Sequence, residues 1–137
     1  MGDGSLELRL VVTADDYDEA LRFYRDALGL REIGAFDDGA GRVSILDAGR
    51  ATLELSDVRH AEHIDQLEVG RRVAGHVRVA LGVADARAMT RRLVDAGATL
   101  VAAPVETPWR SLNSRLEAPA GLQLTLFEAL EPEARDR

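Results

Sequence analysis

Leu8-Arg9-Leu10-Val11-Val12, followed by Asp16 and a helix-like run, recurs in this chain as Val77-Arg78-Val79-Ala80-Leu81, followed by Asp85 and a second such run. The spacing is constant, since 78 − 9 and 85 − 16 both give 69. A matching pair closes each copy, Thr52-Leu53-Glu54-Leu55 and Gln123-Leu124-Thr125-Leu126, where the offset has grown to 125 − 54 = 71. Loop length changed while the order of elements did not. Two similar halves each leave an apolar face uncovered until they pair, so a cleft between or beneath them is the natural place for function.

Outward from these repeats, Leu6, Leu8, Leu10 and Val12 alternate with Glu7, Arg9 and Val11, the period-two pattern of a strand whose leucine face is expected to meet a helix. Asp16 is suited to cap that helix, with Glu19 completing a capping box. Ala20, Leu21, Tyr24, Ala27 and Leu28 then form a stripe that Gly29 ends. Phe23 and Tyr24 are expected in the core. Strands are predicted from Arg31 to Phe36, Arg42 to Leu46 and Ala51 to Leu55, with Asp37-Asp38-Gly39 and Asp47-Ala48-Gly49 as turns.

The second half repeats the scheme. A strand from Val77 to Val83 leads to the cap Asp85, a helix from Ala88 to Ala96 stops at Gly97, and strands follow at Leu100 to Ala103, Ser111 to Leu116 and Leu122 to Phe127. The predicted fold class is α+β, with two βαβββ modules forming a curved mixed sheet and the helices outside. One domain, 1–137, is expected to comprise a module 6–56, a linker 57–75, a module 76–128 and a charged tail 129–137 that frays. In the polar linker, His60 and His63 read as a solvated helix face, because no third metal ligand is evident nearby.

Composition excludes several chemistries. The 137 residues contain no cysteine and no lysine, all 17 basic residues being arginine, which removes disulfides, thiolate chemistry and Schiff bases. A net charge of −7 and a pI near 4.9 argue against sequence-independent nucleic-acid binding. No run approaches the roughly 18 to 20 apolar residues of a membrane span. The acidic start Met1-Gly2-Asp3-Gly4 is unlike a signal peptide, and a cytoplasmic location is expected.

The Asp16 to "FYRDALGL" segment, the "VDAGA" at the end of the second helix and the closing "TPWRS…APAGLQLTLFE" together resemble the vicinal oxygen chelate superfamily. That superfamily contains glyoxalase I, extradiol dioxygenases and the fosfomycin- and bleomycin-resistance proteins, and the resemblance spans about residues 6 to 128. It implies a divalent metal held by His, Glu or Gln from the first and last strand of each module, on the concave side of the sheet. The first-strand ligand usually lies seven residues before the capping Asp, which falls here on Arg9 and Arg78. A guanidinium has no available lone pair and keeps its proton, so it cannot ligate. Of the last-strand positions, Glu54 matches and Thr125 does not. No metal and no other cofactor is therefore expected. A register slid by two would instead offer Glu7, Glu54, His76 and Gln123 as a ligand set.

The concave face is then expected to carry Arg9, Arg78 and Glu54 with Thr52, Gln123 and Thr125. At least one arginine should pair with Glu54 or Glu7, because an unpaired buried charge costs several kcal/mol. Trp109 is the only tryptophan, in a segment that relatives commonly write as "PWG" near the pocket rim, and suits stacking on a flat ligand or packing under the loop. The leading expectation is a metal-free binder of a small organic molecule, similar to the bleomycin-resistance-like proteins. Its ligand would be flat and partly apolar, with an acidic oxygen between Trp109 and the arginines. The alternatives are an enzyme and an interaction module. The enzyme would be a lyase, isomerase or dioxygenase, metal-dependent through the slid register or metal-independent with Glu54 as base; the module's cleft would be merely filled. No membrane partner is expected, and a homodimer is, partly from the resemblance.

Overall fold

The computed structural model describes residues 6–130; the acidic start and residues 131–137 of the tail lie outside the described residues, while the tail's first two residues do not fray, Ala129 ending a strand and Leu130 packing against the core. Eight strands form one mixed sheet in the order β2-β3-β4-β1-β5-β8-β7-β6. They are β1 (Glu7–Thr13), β2 (Arg31–Asp37), β3 (Arg42–Asp47), β4 (Ala51–Ser56), β5 (Val77–Gly82), β6 (Thr99–Glu106), β7 (Ser111–Ala118) and β8 (Leu122–Ala129). Each half supplies four strands, its first and last pairing in parallel, β1 with β4 and β5 with β8. The halves join within the chain through antiparallel β1 and β5, with Leu8 opposite Leu81 and Leu10 opposite Val79.

Helices α1 (Tyr17–Leu21) and α3 (Ala86–Asp95) start where the capping aspartates place them: Asp16 accepts from Glu19 N–H and Asp85 from Ala88 N–H, both at 3.0 Å. They cover the convex face. Around α1, Tyr17, Leu21, Leu46, Leu53 and Leu55 form one core; around α3, Ala86, Leu112, Leu116, Leu124 and Leu126 form the other. After Leu21 the chain continues as π-helix, Arg22–Ala27, with Leu28 N–H bonded to Phe23 C=O at 2.9 Å. That winding breaks the 3.6-residue stripe. Phe23 and Leu28 consequently stand 60% and 61% exposed, and Ala27 is exposed too, which corrects their expected core placement. Tyr24 remains against the α1 core.

A second correction concerns β1. Its leucine face does lie on the helix side, but α1 is too short to cover it, and only Val12 reaches the α1 core. Leu6, Leu8 and Leu10 are left exposed, and the buried side is instead Arg9, Val11 and Thr13 on the concave face.

The linker holds a third helix, α2 (Val58–Glu68), with Asp57 accepting from His60 N–H at 2.8 Å. It crosses the concave side, touching β3 and β4 of the first half and β7 of the second. Its inward residues are Ala61, Ile64, Asp65 and Glu68, two of them acidic. The β2–β3 turn abuts its first turn so closely that a Cβ on Gly41, at φ +120°, would lie 2.2 Å from His60 N. Only glycine fits there.

Candidate functional site

Beneath α2 lies a narrow cavity of about 30 Å³. Its floor is the inner face of the four central strands. There Val11, Ala80 and Phe127 form a small apolar cluster, and the Arg9 guanidinium lies 4.2 Å above the Phe127 ring. His60, Ala61 and Ile64 of α2 close the cavity from above, and Trp109 stands at one side.

Arg9 is 5% exposed and bracketed by two carboxylates. Its Nε and Nη2 donate to Glu7 at 3.0 and 3.3 Å, and its Nη1 lies 3.4 Å from Glu54 Oε2. Burying these charges is tolerable only because they are matched. The expected arginine–glutamate pairing thus forms, with both glutamates on the same arginine. Arg78 Nη1 donates to Thr125 Oγ1 at 2.8 Å. Arg9, Arg78, Glu54, Thr125 and Trp109 all line the cavity. Thr52 and Gln123 do not: the Thr52 hydroxyl is buried without a hydrogen-bond partner, and Gln123 is engaged elsewhere.

That engagement is with Arg115, which sequence reading missed. Arg115 is fully buried on the inner face of β7; it donates to Asp65 at 2.7 Å, Glu68 at 2.6 Å and Gln123 at 2.9 Å. Burial works against its charge, and Glu68 and Asp65 more than offset that, leaving its pKa raised. The alternation in "SLNSRLE" does put Asn113 and Arg115 on one face, opposite Leu112 and Leu116, so a signal existed. His60 was also misplaced: read as part of a solvated face, it lines the cavity, because α2 turns that face toward the sheet.

A metal does not fit this donor set. Where the resemblance would place an ion, Arg9 holds a fixed positive charge against both glutamates. The slid register does not assemble a site either: His76 precedes β5 and its Nδ1 lies 2.9 Å from the Thr13 carbonyl, while Gln123 serves Arg115. Among the described residues no three His, Cys, Asp or Glu side chains gather for a metal.

An eight-stranded sheet built from two βαβββ units, with a cavity on its concave side, defines a class of small-molecule-binding and catalytic folds. The chain belongs to the Glyoxalase/Bleomycin resistance protein/Dioxygenase superfamily, whose model matches residues 8–126. Among solved structures it is similar to methylmalonyl-CoA epimerase from Mycobacterium tuberculosis, at 21% identity and TM-score 0.68, covering 98% of this chain and 95% of that one. A variant of Streptomyces coelicolor methylmalonyl-CoA epimerase in complex with 2-nitronate-propionyl-CoA matches at 19% identity and TM-score 0.65, covering 93% and 99%. A superfamily member from Vibrio splendidus 12B01 matches at 14% identity and TM-score 0.66, covering 89% and 97%. No curated protein sequence matches the chain. Among the described residues no helix is long and apolar enough to cross a membrane.

Asp65 ties the site to pH. Burial pushes its pKa up, but hydrogen bonds from Ala74 N–H, Arg115, Val73 N–H and Arg72 outweigh it and bring the value down to about 2. A carboxylate depressed on folding stabilises the protein above its unfolded pKa, and that contribution is lost as pH falls through the folded value. The drop from 3.8 corresponds to roughly 2 kcal/mol. Chemical denaturation is therefore expected to show stability declining between about pH 5 and pH 2, with Asp65→Asn removing much of that slope. The variant should also be about 3 kcal/mol less stable at neutral pH, since Arg115 loses a buried partner. An unchanged slope in Asp65→Asn would reject this assignment.

Proposed function

We propose that this protein binds a small organic molecule in the concave cavity without a metal, as the antibiotic-binding members of its superfamily do. The single observation that carries the reading is Arg9 held between Glu7 and Glu54, a cation built into the place where the resemblance puts an ion. The ligand is flat and partly apolar, with an acidic oxygen directed to Arg78 and Arg9 and a face on Trp109, all of which line one cavity. Catalysis need not occur. Trp109 quenching is expected to show that aromatic acids bind more tightly than their neutral amides. Arg78→Met should weaken the acids by roughly 10- to 100-fold, the 1.5 to 3 kcal/mol of a charge-assisted bond. Equal binding of acid and amide, or stoichiometric divalent metal in protein purified without chelator, would sink the corresponding half of the proposal.

A second reading, isomerase chemistry, is favoured by the likeness to methylmalonyl-CoA epimerases. Glu54, 2% exposed and facing the cavity, would take the proton α to a carbonyl. The C–H electron pair would pass into an enolate whose oxygen an arginine holds; water would deliver a proton to the opposite face to give the epimer, and Glu54 would release the proton it took to the hydroxide left behind. Methylmalonyl-CoA incubated in D2O is expected to gain deuterium at the α carbon with the wild type and not with Glu54→Gln. No uptake with the wild type would reject epimerisation of that compound.

The protein is further proposed to work in the cytoplasm as a homodimer. On the convex face Leu8 and Leu10 of β1 and Val77 of β5 are 37–49% exposed, with Leu81 and Val79 opposite the two leucines, an apolar stripe that a second copy would cover. Light scattering at micromolar concentration is expected to give twice 14.9 kDa, and a monodisperse monomer would refute the dimer alone.

A further inference from the structure

The turn that carries Trp109 is not held by its own residues alone. Thr107 and Ser111 close it: Thr107 N–H donates to the Ser111 carbonyl at 2.8 Å, and Arg110 N–H to the Thr107 carbonyl at 3.0 Å. Arg110 completes the turn at φ +62°, a left-handed conformation where glycine is ordinarily favoured. The left-handed residue makes the turn mildly unfavourable; Arg110 pairs with Glu106 at 2.8 Å, its carbonyl accepts from Leu130 N–H at 3.0 Å, and ties from beyond the turn also hold its geometry.

A chain of buried side chains does so. The Thr107 and Ser111 hydroxyls are 2.9 Å apart; Ser111 Oγ donates to Asn113 Oδ1 at 2.6 Å, and Asn113 Nδ2 donates to Glu68 Oε2 at 2.7 Å. Glu68 belongs to α2, and its other oxygen accepts from Arg115. Thr107, Ser111, Asn113 and Glu68 are all 5% exposed or less. At that burial each broken link leaves a polar atom with fewer partners than it has now, even beside the cavity that Ser111, Asn113 and Glu68 line. The chain runs from the turn at the cavity's side to the helix that closes it.

We propose that Asn113 and Ser111 are positioning residues of the candidate ligand site: they lock the Trp109 turn to α2, so that the gap between Trp109 and the cavity ceiling is preset before a ligand enters. The proposal rests on the reading of this cavity as a ligand site. Ser111 and Asn113 themselves line the cavity, and the role assigned to them is to hold the turn, since a flat ligand must fit a gap of fixed width. The link is also directional in a way that can be reversed. With Glu68→Gln, the new amide can donate to Asn113 Oδ1 once the Asn113 amide turns over, Asn113 Nδ2 then donates to Ser111 Oγ, and the hydroxyls accept either polarity. Glu68→Met cannot make the link.

Because Trp109 is the only tryptophan, the test is made on ligand-free, full-length protein by acrylamide quenching and emission maximum, with circular dichroism as the check of folding. Asn113→Leu and Ser111→Ala are expected to raise the quenching constant at least about twofold and shift emission to the red, although both keep every Arg115 ion pair. Glu68→Gln should stay near wild type while Glu68→Met follows Asn113→Leu. If Asn113→Leu fails to fold, Ser111→Ala, which removes a single hydroxyl, decides. Wild-type quenching in Ser111→Ala, or equal behaviour of Glu68→Gln and Glu68→Met, would overturn the proposal. The aromatic-acid titration fails separately: a coupled Trp109 with no ligand binding would reject the ligand-site reading and leave the mechanical link standing.

Discussion

A single buried guanidinium, Arg115, governs how this molecule closes. It sits with no exposed surface on β7 and meets Asp65 and Glu68 from α2, drawing the linker helix against the concave side. Beside it on the same strand, Ser114 faces the other way and bonds Thr90 of α3 at 2.8 Å. Strand β7 is thus gripped from both faces, by polar contacts on each. A buried ion pair adds little net stability over an apolar substitute of similar volume, yet removing one partner is costly. Its effect here is orientation: Asp65 and Glu68 each meet one terminal nitrogen of Arg115, while its Nε is buried without a hydrogen-bond partner.

The duplication makes this asymmetry visible. By their offsets along the chain, Arg115 occupies in the second half the place of Ile45 in the first, and Thr125 the place of Glu54; the register agrees, with Ile45 opposite Glu54 and Arg115 opposite Thr125. A symmetric floor would have offered α2 two equal seats. Instead α2 presents Ala61 and Ile64 to a cavity wall shared with Val43, and Asp65 and Glu68 to Arg115. One linker can serve only one half with its charges, so the two halves diverged where it lands.

Much of the fold was legible because it rests on local chemistry. Asp16 and Asp85 cap helices through backbone N–H groups a few residues away, and the strands of each half follow from alternation and turn residues. What misled was coverage and winding. Alternation shows that Leu8 and Leu10 share a face but not whether a helix reaches them, and a helical stripe assumes α geometry that residues 22–27 do not keep. The resemblance pointed to positions 9 and 78, and the chemistry of a guanidinium marked both as misfits for a metal ligand. Arg115, Asp65 and Glu68 were not: they lie 50 and 47 residues apart in sequence, and their acidic helix reads as a solvated face until its partner is known.

The same principle explains why this floor can differ from that of its superfamily without collapse. A metal site needs several anionic or neutral donors converging on one point, and its charge is lost with the ion. Here Arg9 supplies the cation covalently, stacked on Phe127 and bonded to Glu7. One guanidinium meets two carboxylates there, so it is Arg9 together with Arg78 on the same cavity wall that balances Glu7 and Glu54. The remaining wall groups, Arg78 with Thr125, Trp109 on its turn and His60 on α2, line the same cavity. Their placement then depends on α2 and β7 staying together, which returns the site to the Arg115 ion pairs.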